Sequence, residues 1–370
     1  PTGEEGERAR WVAARLDALG LAAVRVDAAG NVIARLRGRG DPAEPPVAVC
    51  AHLDTVFPRP VPVTVRRTAT AAGVARLAAP GIGDNGRGLA ALLAVAGALA
   101  DGAVRLARPV EFVATVGEEG LGDLRGAKHY FAAFPADRRP AAAVVLDGPG
   151  DERVVHRAVG ARRFRAEFAG PGGHSWAAYG APNAVHAAAR AAARLADLPL
   201  GGGAGAGRVT LSVGRIGGGM SVNAIPAEAW LEIDLRATSA ALLDAHADAV
   251  CRAVQAAAAA ENAARAPGAA PLRATVRVIG DRPAGALAPG HPLVLAAADA
   301  TRLTGRAPAL GAASTDANVP LGLGVPAVAV GAGGRGGDAH TPEEWYEDAD
   351  GWAGVERALV LVACAAGLAA

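Results

Sequence analysis

The sequence predicts an α/β protein: a mostly parallel sheet with helices on both faces, interrupted by an inserted ferredoxin-like α+β domain. Three observations lead there. Apolar, strand-like runs alternate with helical periods up to about Asp147 and again beyond Pro283. Between those points the texture changes to apolar–polar alternation, which half-exposed antiparallel strands require. Histidines and carboxylates stand at the ends of apolar runs or in glycine-rich turns, where an open α/β sheet places its site.

In chain order, Glu4 to Leu19 carries Trp11, Val12, Leu16 and Leu19 at helical spacing. Strands follow at Val24–Val26, Val32–Leu36 and Val47–Ala51, then a helix Gly88–Leu99, a strand Val110–Val116, a helix near Gly126–Phe134 and a strand Ala143–Leu146. The insert begins with the alternating VGARRFRAEF of Val159–Phe168. A helix Asn183–Leu198, a flexible loop Gly201–Gly207, strands Val209–Ile216 and Ala229–Arg236, a helix Ala240–Ala264 and a strand Leu272–Ile279 complete a β-α-β-β-α-β order. Helix Pro292–Thr304, strand Ala327–Val330 and helix Gly351–Ala369 return to the first texture. The expected domains are therefore 1–156 with 285–370, and an insert at 157–284.

A chain of 370 residues with a net charge of +1 has ample apolar material for two cores and no basic run suited to nucleic acid. Lys128 is the only lysine among 37 basic residues, and alanine abounds, a pattern read as GC-rich coding bias. Cys50, Cys251 and Cys364 are odd in number and far apart, which fits a reducing compartment and no disulfide framework. The N-terminal PTGEEGERAR has no signal-peptide core, and no run of about 20 apolar residues suggests a membrane span. A cytoplasmic location is expected.

The chemistry gathers at five candidate metal ligands. His52 sits in HLD after the run PVAVCA, Asp84 in the turn GIGDNG, Glu119 in the pair Glu118-Glu119 after VEFVATV, Asp147 after AAAVVL, and His340 in GGDAHT. Two imidazoles and three carboxylates without sulfur suit two zinc-like ions sharing one carboxylate, a hydrolase device. Such ions acidify a water and polarise a carbonyl, and a further carboxylate must take the proton. Glu118, beside a ligand, fits that task. Asp54, two residues after His52, can accept the second imidazole N–H and fix the tautomer. Singly, each motif is an ordinary strand-end or turn residue; jointly they make a constellation. Cys50 reads as a core residue.

These elements, with GPGGHSW around His174, GGGMSVNAIP around Asn223, IDLR at Arg236 and DRPAG at Arg282, resemble the dizinc metallopeptidase family of peptidase T, glutamate carboxypeptidase, aminoacylase and acetylornithine deacetylase. The resemblance covers essentially the whole chain and is nearest to the peptidase T-like branch. It implies a zinc exopeptidase-like fold. One metal would take His52, Asp84 and Asp147, and the other Asp84, Glu119 and His340, with Asp84 bridging. Where the family commonly has lysine shortly after the bridging aspartate, this chain has Arg87. It further implies that His174 of the insert reaches a partner subunit's site and stabilises an oxyanion. Asn223 would contact substrate, and Arg282, with Arg236 competing, would grip a substrate carboxylate.

The expected activity is hydrolysis of an amide bond in small peptides by a two-metal enzyme, with zinc first and cobalt or manganese as substitutes. Glu118 is the expected base and a homodimer through the insert the expected assembly. N-acyl-amino-acid deacylation is the alternative, since it uses the same attack on an amide. A non-catalytic peptide-binding protein on the same fold is the third reading.

Overall fold

The computed structural model describes residues 1–201 and 207–369. It divides into two compact units, 1–158 with 285–370, and 159–284. The boundary falls after Ala158, because the strand Arg153–Ala158 pairs within the large sheet.

The large unit is organised by a nine-stranded sheet. At its centre Val110–Thr115, Val47–His52, Ala142–Leu146 and Ala327–Val330 run parallel in that spatial order. Each is fully buried and made of near-continuous apolar residues, as a strand covered on both faces must be. The strand Val47–His52 shows the period of two. Val47, Val49 and Ala51 join one core with helices Gly6–Ala18, Gly88–Ala100, Pro292–Leu303 and Gly351–Ala366. Ala48 and Cys50 point to the opposite core, under helix Arg125–Ala132 and the short helix Asn318–Gly322. Cys50 is thus a packed core residue.

A second, four-stranded antiparallel sheet was not anticipated from the sequence. Its order is Arg335–Gly337, Trp345–Glu347, Ala75–Ala78, Arg66–Ala69. These strands are three or four residues long and lack a clear apolar period. Their pairing carries the segment around His340 to the glycine-rich turn around Asp84, some 260 residues earlier by the span of their shared contacts.

The insert, taken by itself, has strands Gly160–Ala169, Val209–Gly218, Glu228–Ala237 and Arg273–Arg282. All neighbours are antiparallel, and the spatial order is the second, third, first and fourth strands, the ferredoxin-like arrangement. Helices Ala184–Ala196 and Ala240–Ala263 cover one face. Asn183 and Ser239 cap them, each side chain accepting backbone N–H groups of the first turn. Of the loop expected at Gly201–Gly207, residues 202–206 lie outside the described residues. The C-terminal helix stops at Ala366, followed by Gly367 at positive φ. Among the described residues no helix is long and apolar enough to cross a membrane.

Candidate metal centre and its supporting residues

His52 is the last residue of its strand, Glu118-Glu119 follow the neighbouring strand, and Asp147 follows the strand on the other side. The parallel sheet therefore delivers these residues to one edge. Asp84 arrives on the turn before helix Gly88–Ala100, and His340 from the loop closed by the small sheet.

The side chains converge. His52 Nε2 lies 2.9 Å from Asp84 Oδ1, while His340 Nε2 lies 3.2 Å from Asp84 Oδ2 and 3.1 Å from Glu119 Oε1. Asp84 thus turns one oxygen to each histidine, the disposition a bridging carboxylate needs. Donor atoms of His52, Asp84 and Asp147 lie within 4.8 Å of one another, as do those of Asp84, Glu119 and His340. His52, Glu118 and Glu119 form a third such group, so proximity alone does not separate base from ligand; the contact with His340 distinguishes Glu119.

Electrostatics argue that this cluster is built for cations. His52 Nδ1 lies 3.2 Å from the Asp54 carbonyl and 3.4 Å from Asp54 Oδ1, which fixes its proton on that nitrogen. Nε2 would then meet the Asp84 carboxylate lone pair to lone pair unless a proton or a metal ion stands between them. Burial opposes charge on His52, but hydrogen bonds to Asp54 and Asp84 and the field of Glu118 outweigh it and raise the imidazole well above its ordinary range. Burial, reinforced by Asp84, raises Glu119 against the pull of the histidines. Asp84 is lowered: the two histidines overcome its burial. In borderline-soft N and hard O donors, with one carboxylate facing both histidines, the residues fit a pair of divalent ions.

Asp54 does more than orient a histidine. It accepts the backbone N–H of Glu118 at 2.9 Å and of Glu119 at 3.0 Å, and the Thr2 hydroxyl at 2.8 Å. Despite burial, His52 and these N–H groups hold its carboxyl well below the usual range. Three further residues escaped the sequence reading. Asn85 accepts the Gly148 N–H and donates to the Leu146 carbonyl, tying the Asp84 turn to the strand end that bears Asp147. Asp316, fully buried, accepts from Thr115 Oγ1 at 2.5 Å. Glu344 accepts from the Gly81, Gly83 and Asp84 N–H groups. Glu344 lies three residues beyond the GGDAHT stretch, and nothing in sequence separates it from exposed Glu343 beside it.

The chain matches the model of peptidase family M20/M25/M40 over residues 48–363. The chain belongs to this family. Among its curated relatives, a probable carboxypeptidase of Aspergillus clavatus is 30% identical over 263 residues, 66% of this chain. The chain spans 57% of that relative's length. Among solved structures, aminopeptidase PepT from Bacillus cereus superposes with a TM-score of 0.75 at 23% identity, covering 99% of this chain and 95% of that one. A tripeptidase from Staphylococcus aureus gives 0.77 at 21%, covering 99% and 94%. The Bacillus subtilis YXEP protein, described as a dinuclear metal binding peptidase of the M20 family, gives 0.69 at 17%, covering 98% and 92%. The fold expected from its sequence is the fold of this family's solved members.

The candidate residues of the insert form two groups within that unit. His174 pairs with Ala224 on short strands, and the Ser175 N–H donates to the Asn223 carbonyl, so His174 and Asn223 share one exposed loop region. His174 Nδ1 accepts the N–H groups of Trp176 and Ala177, which places its proton on Nε2. The Asn223 side-chain oxygen accepts from Ser221. Arg236 and Arg282 both lie level with Ala161, one on each side of it, at the other end of the sheet. Ala161 is separated from Ala169, which leads into the His174 loop, by about 26 Å at ~3.3 Å per strand residue. Arg236 donates to Asp234 at 2.7 Å, whereas Arg282 is buried, 5% exposed.

Proposed function

We propose that this M20 protein is a two-metal exopeptidase acting on small peptides in the cytoplasm. The carrying observation is Asp84, whose two oxygens face His52 and His340 separately. In this reading His52, Asp84 and Asp147 hold one ion and Asp84, Glu119 and His340 the other, zinc being the best match to the donor set. When bound, such a pair lowers the pKa of a water and polarises the scissile carbonyl. The chain's own work is then proton transfer and placement. A Glu118 carboxylate oxygen takes the proton of the attacking water and returns it to the leaving nitrogen. Asp54 holds the Glu118 and Glu119 backbone and the His52 tautomer, so base and ligand keep a fixed relation.

His174, with its proton on Nε2, is a donor suited to the developing oxyanion. Arg282 serves a substrate carboxylate, which a guanidinium fork can grip through two parallel hydrogen bonds. His174 and Arg282 lie at opposite ends of one insert, too far apart to touch the same small substrate. This separation supports a homodimer in which a second copy supplies His174.

N-acyl-amino-acid deacylation is the second reading. It rests on the resemblance to aminoacylase and requires the same groups. Protein stripped with chelator and reloaded with zinc, cobalt or manganese should be assayed on dipeptides, tripeptides and N-acyl amino acids. The peptidase reading expects about two ions per chain and peptide turnover lost on stripping and regained on reloading. Turnover of N-acyl amino acids alone would select the deacylase. Full activity in chelator with no bound metal, or no turnover of any substrate by the two-metal form, would reject the two-metal hydrolase.

A further inference from the structure

We infer that Glu344 is a positioning residue for the metal centre: its carboxylate acts as the core around which the Asp84 turn is wrapped, and so sets where the bridging carboxylate points. This rests on the two-metal reading of Asp84. Glu344 is 1% exposed. Its Oε2 accepts the Gly81 N–H at 2.6 Å, and its Oε1 accepts those of Gly83 at 2.9 Å and Asp84 at 2.7 Å. Three backbone donors converging on one buried carboxylate are charge-assisted bonds, shorter and stronger than neutral ones. One of the three belongs to Asp84 itself, so the amide of the bridging residue is pinned directly.

The backbone of Glu344 is fixed just as firmly. Its N–H donates to the Thr341 carbonyl at 3.1 Å, and its carbonyl accepts from Ala79 at 3.0 Å. The same short stretch holds His340, whose φ of +65° is uncommon for a residue with a side chain. Glu344 therefore joins the two segments, 81–84 and 340–344, that bring Asp84 and His340 together. The turn fits the carboxylate closely. A Cβ at Gly83 would lie 3.0 Å from Glu344 Oε1, and Gly81 adopts φ +72° with a Cβ position only 2.5 Å from the Thr55 methyl. Of the glycines of GIGDNG, Gly83 is the one whose Cβ would meet the carboxylate.

Asp84 is common to both metal positions, so loosening it should weaken both. In Glu344→Gln the amide NH2 replaces one oxygen and faces backbone N–H donors, leaving at least one of them unpaired. In Gly83→Ala the charge is kept, but the added methyl presses Oε1 away. Metal affinity of the full chain should be measured by competition with a chromogenic chelator, alongside metal content and thermal unfolding of the stripped protein. For Glu344→Gln we expect a loss of about 10–100-fold in affinity, the usual range for a partner that orients a ligand. Gly83→Ala should lose severalfold, and turnover in both should recover at saturating metal. Wild-type affinity in both variants, whatever their thermal stability, would overturn the inference, because a purely structural Glu344 would change unfolding and not binding. If Glu344→Gln fails to fold, Gly83→Ala decides. Wild-type protein that binds no divalent ion would instead overturn the two-metal reading, and the inference with it.

Discussion

The carboxylate of Asp54 receives the backbone N–H of Glu118 at 2.9 Å, and its other oxygen receives that of Glu119 at 3.0 Å. One side chain thus fixes the proposed base, a proposed ligand and, through His52, a second proposed ligand. Asp54→Asn keeps the shape but turns an NH2 group toward N–H donors. We expect about 10–100-fold weaker metal binding, from the loss of a group that orients ligands, and a lower kcat even at saturating zinc. Unchanged zinc affinity and kcat would show that Asp54 merely fills space.

The adjacent pair Glu118-Glu119 should divide into two phenotypes. Glu118→Gln should retain two ions and lose at least ~10²–10⁴ in kcat, the contribution of one acid–base group. Glu119→Ala should lose metal as well, because its Oε1 is the atom facing His340. Metal content and single-turnover rates read the two directly, and exchanged phenotypes would reverse the assignment.

Asp316 gives the stripped protein a distinct pH signature. Burial pushes its carboxyl up to about 6; Thr115 and His52 oppose this, and Asp54 and Asp147 add to it. Its pKa is thus higher folded than unfolded, so the folded state binds the proton more tightly. The associated stability is complete below about pH 4 and is lost as pH rises through about 6. Asp316→Asn removes that dependence. Between pH 4 and 7 the metal-free variant should gain on the metal-free wild type by roughly 3 kcal/mol, at 1.36 kcal/mol per pKa unit. Urea unfolding across that interval measures the difference, and a constant offset would refute the burial argument.

For Arg282, removal to alanine should impair substrates with a free α-carboxylate far more than their amides. The same change at Arg236 should have little effect on that ratio, since its guanidinium is already paired with Asp234. Parallel kcat/KM values for acid and amide substrates test this. Equal losses in Arg282→Ala would make that residue structural.

His174→Ala should keep metal, fold and dimer while losing most activity, about 2.7–4 kcal/mol of barrier for one oxyanion donor. Mixed with Glu118→Gln, it should regain activity once subunits exchange, because one site of the heterodimer would draw both intact residues from opposite chains. Exchange is followed independently by mass-tagged subunits. Demonstrated exchange without activity would place His174 within its own chain's site or outside catalysis.

Much of this was legible in the sequence because it depends on local signals. Val47–His52 and Val110–Thr115 are apolar runs with His52 and Glu118 at their ends, and the alternation around Phe164 marks the insert. What was not legible depends on tertiary partners. Arg66–Ala69 and Trp345–Glu347 are too short and mixed to show a period, so the small sheet was missed. Glu344, Asn85 and Asp316 carry no pattern of their own. Their importance comes from which N–H, carbonyl or hydroxyl group the fold places against them.

The discontinuity of the large unit has a temporal consequence. On the ribosome, His52, Asp84, Glu119 and Asp147 emerge before the insert, whereas His340 and Glu344 emerge after it. At about 5–20 residues per second, synthesis of the intervening chain takes on the order of ten seconds or more. Late in that interval the insert is complete and the earlier candidate ligands are present, but the proposed second metal position still lacks its histidine and the Asp84 turn still lacks Glu344. On the two-metal reading, a nascent chain assembled in this order stays silent until residues 340–344 have been made.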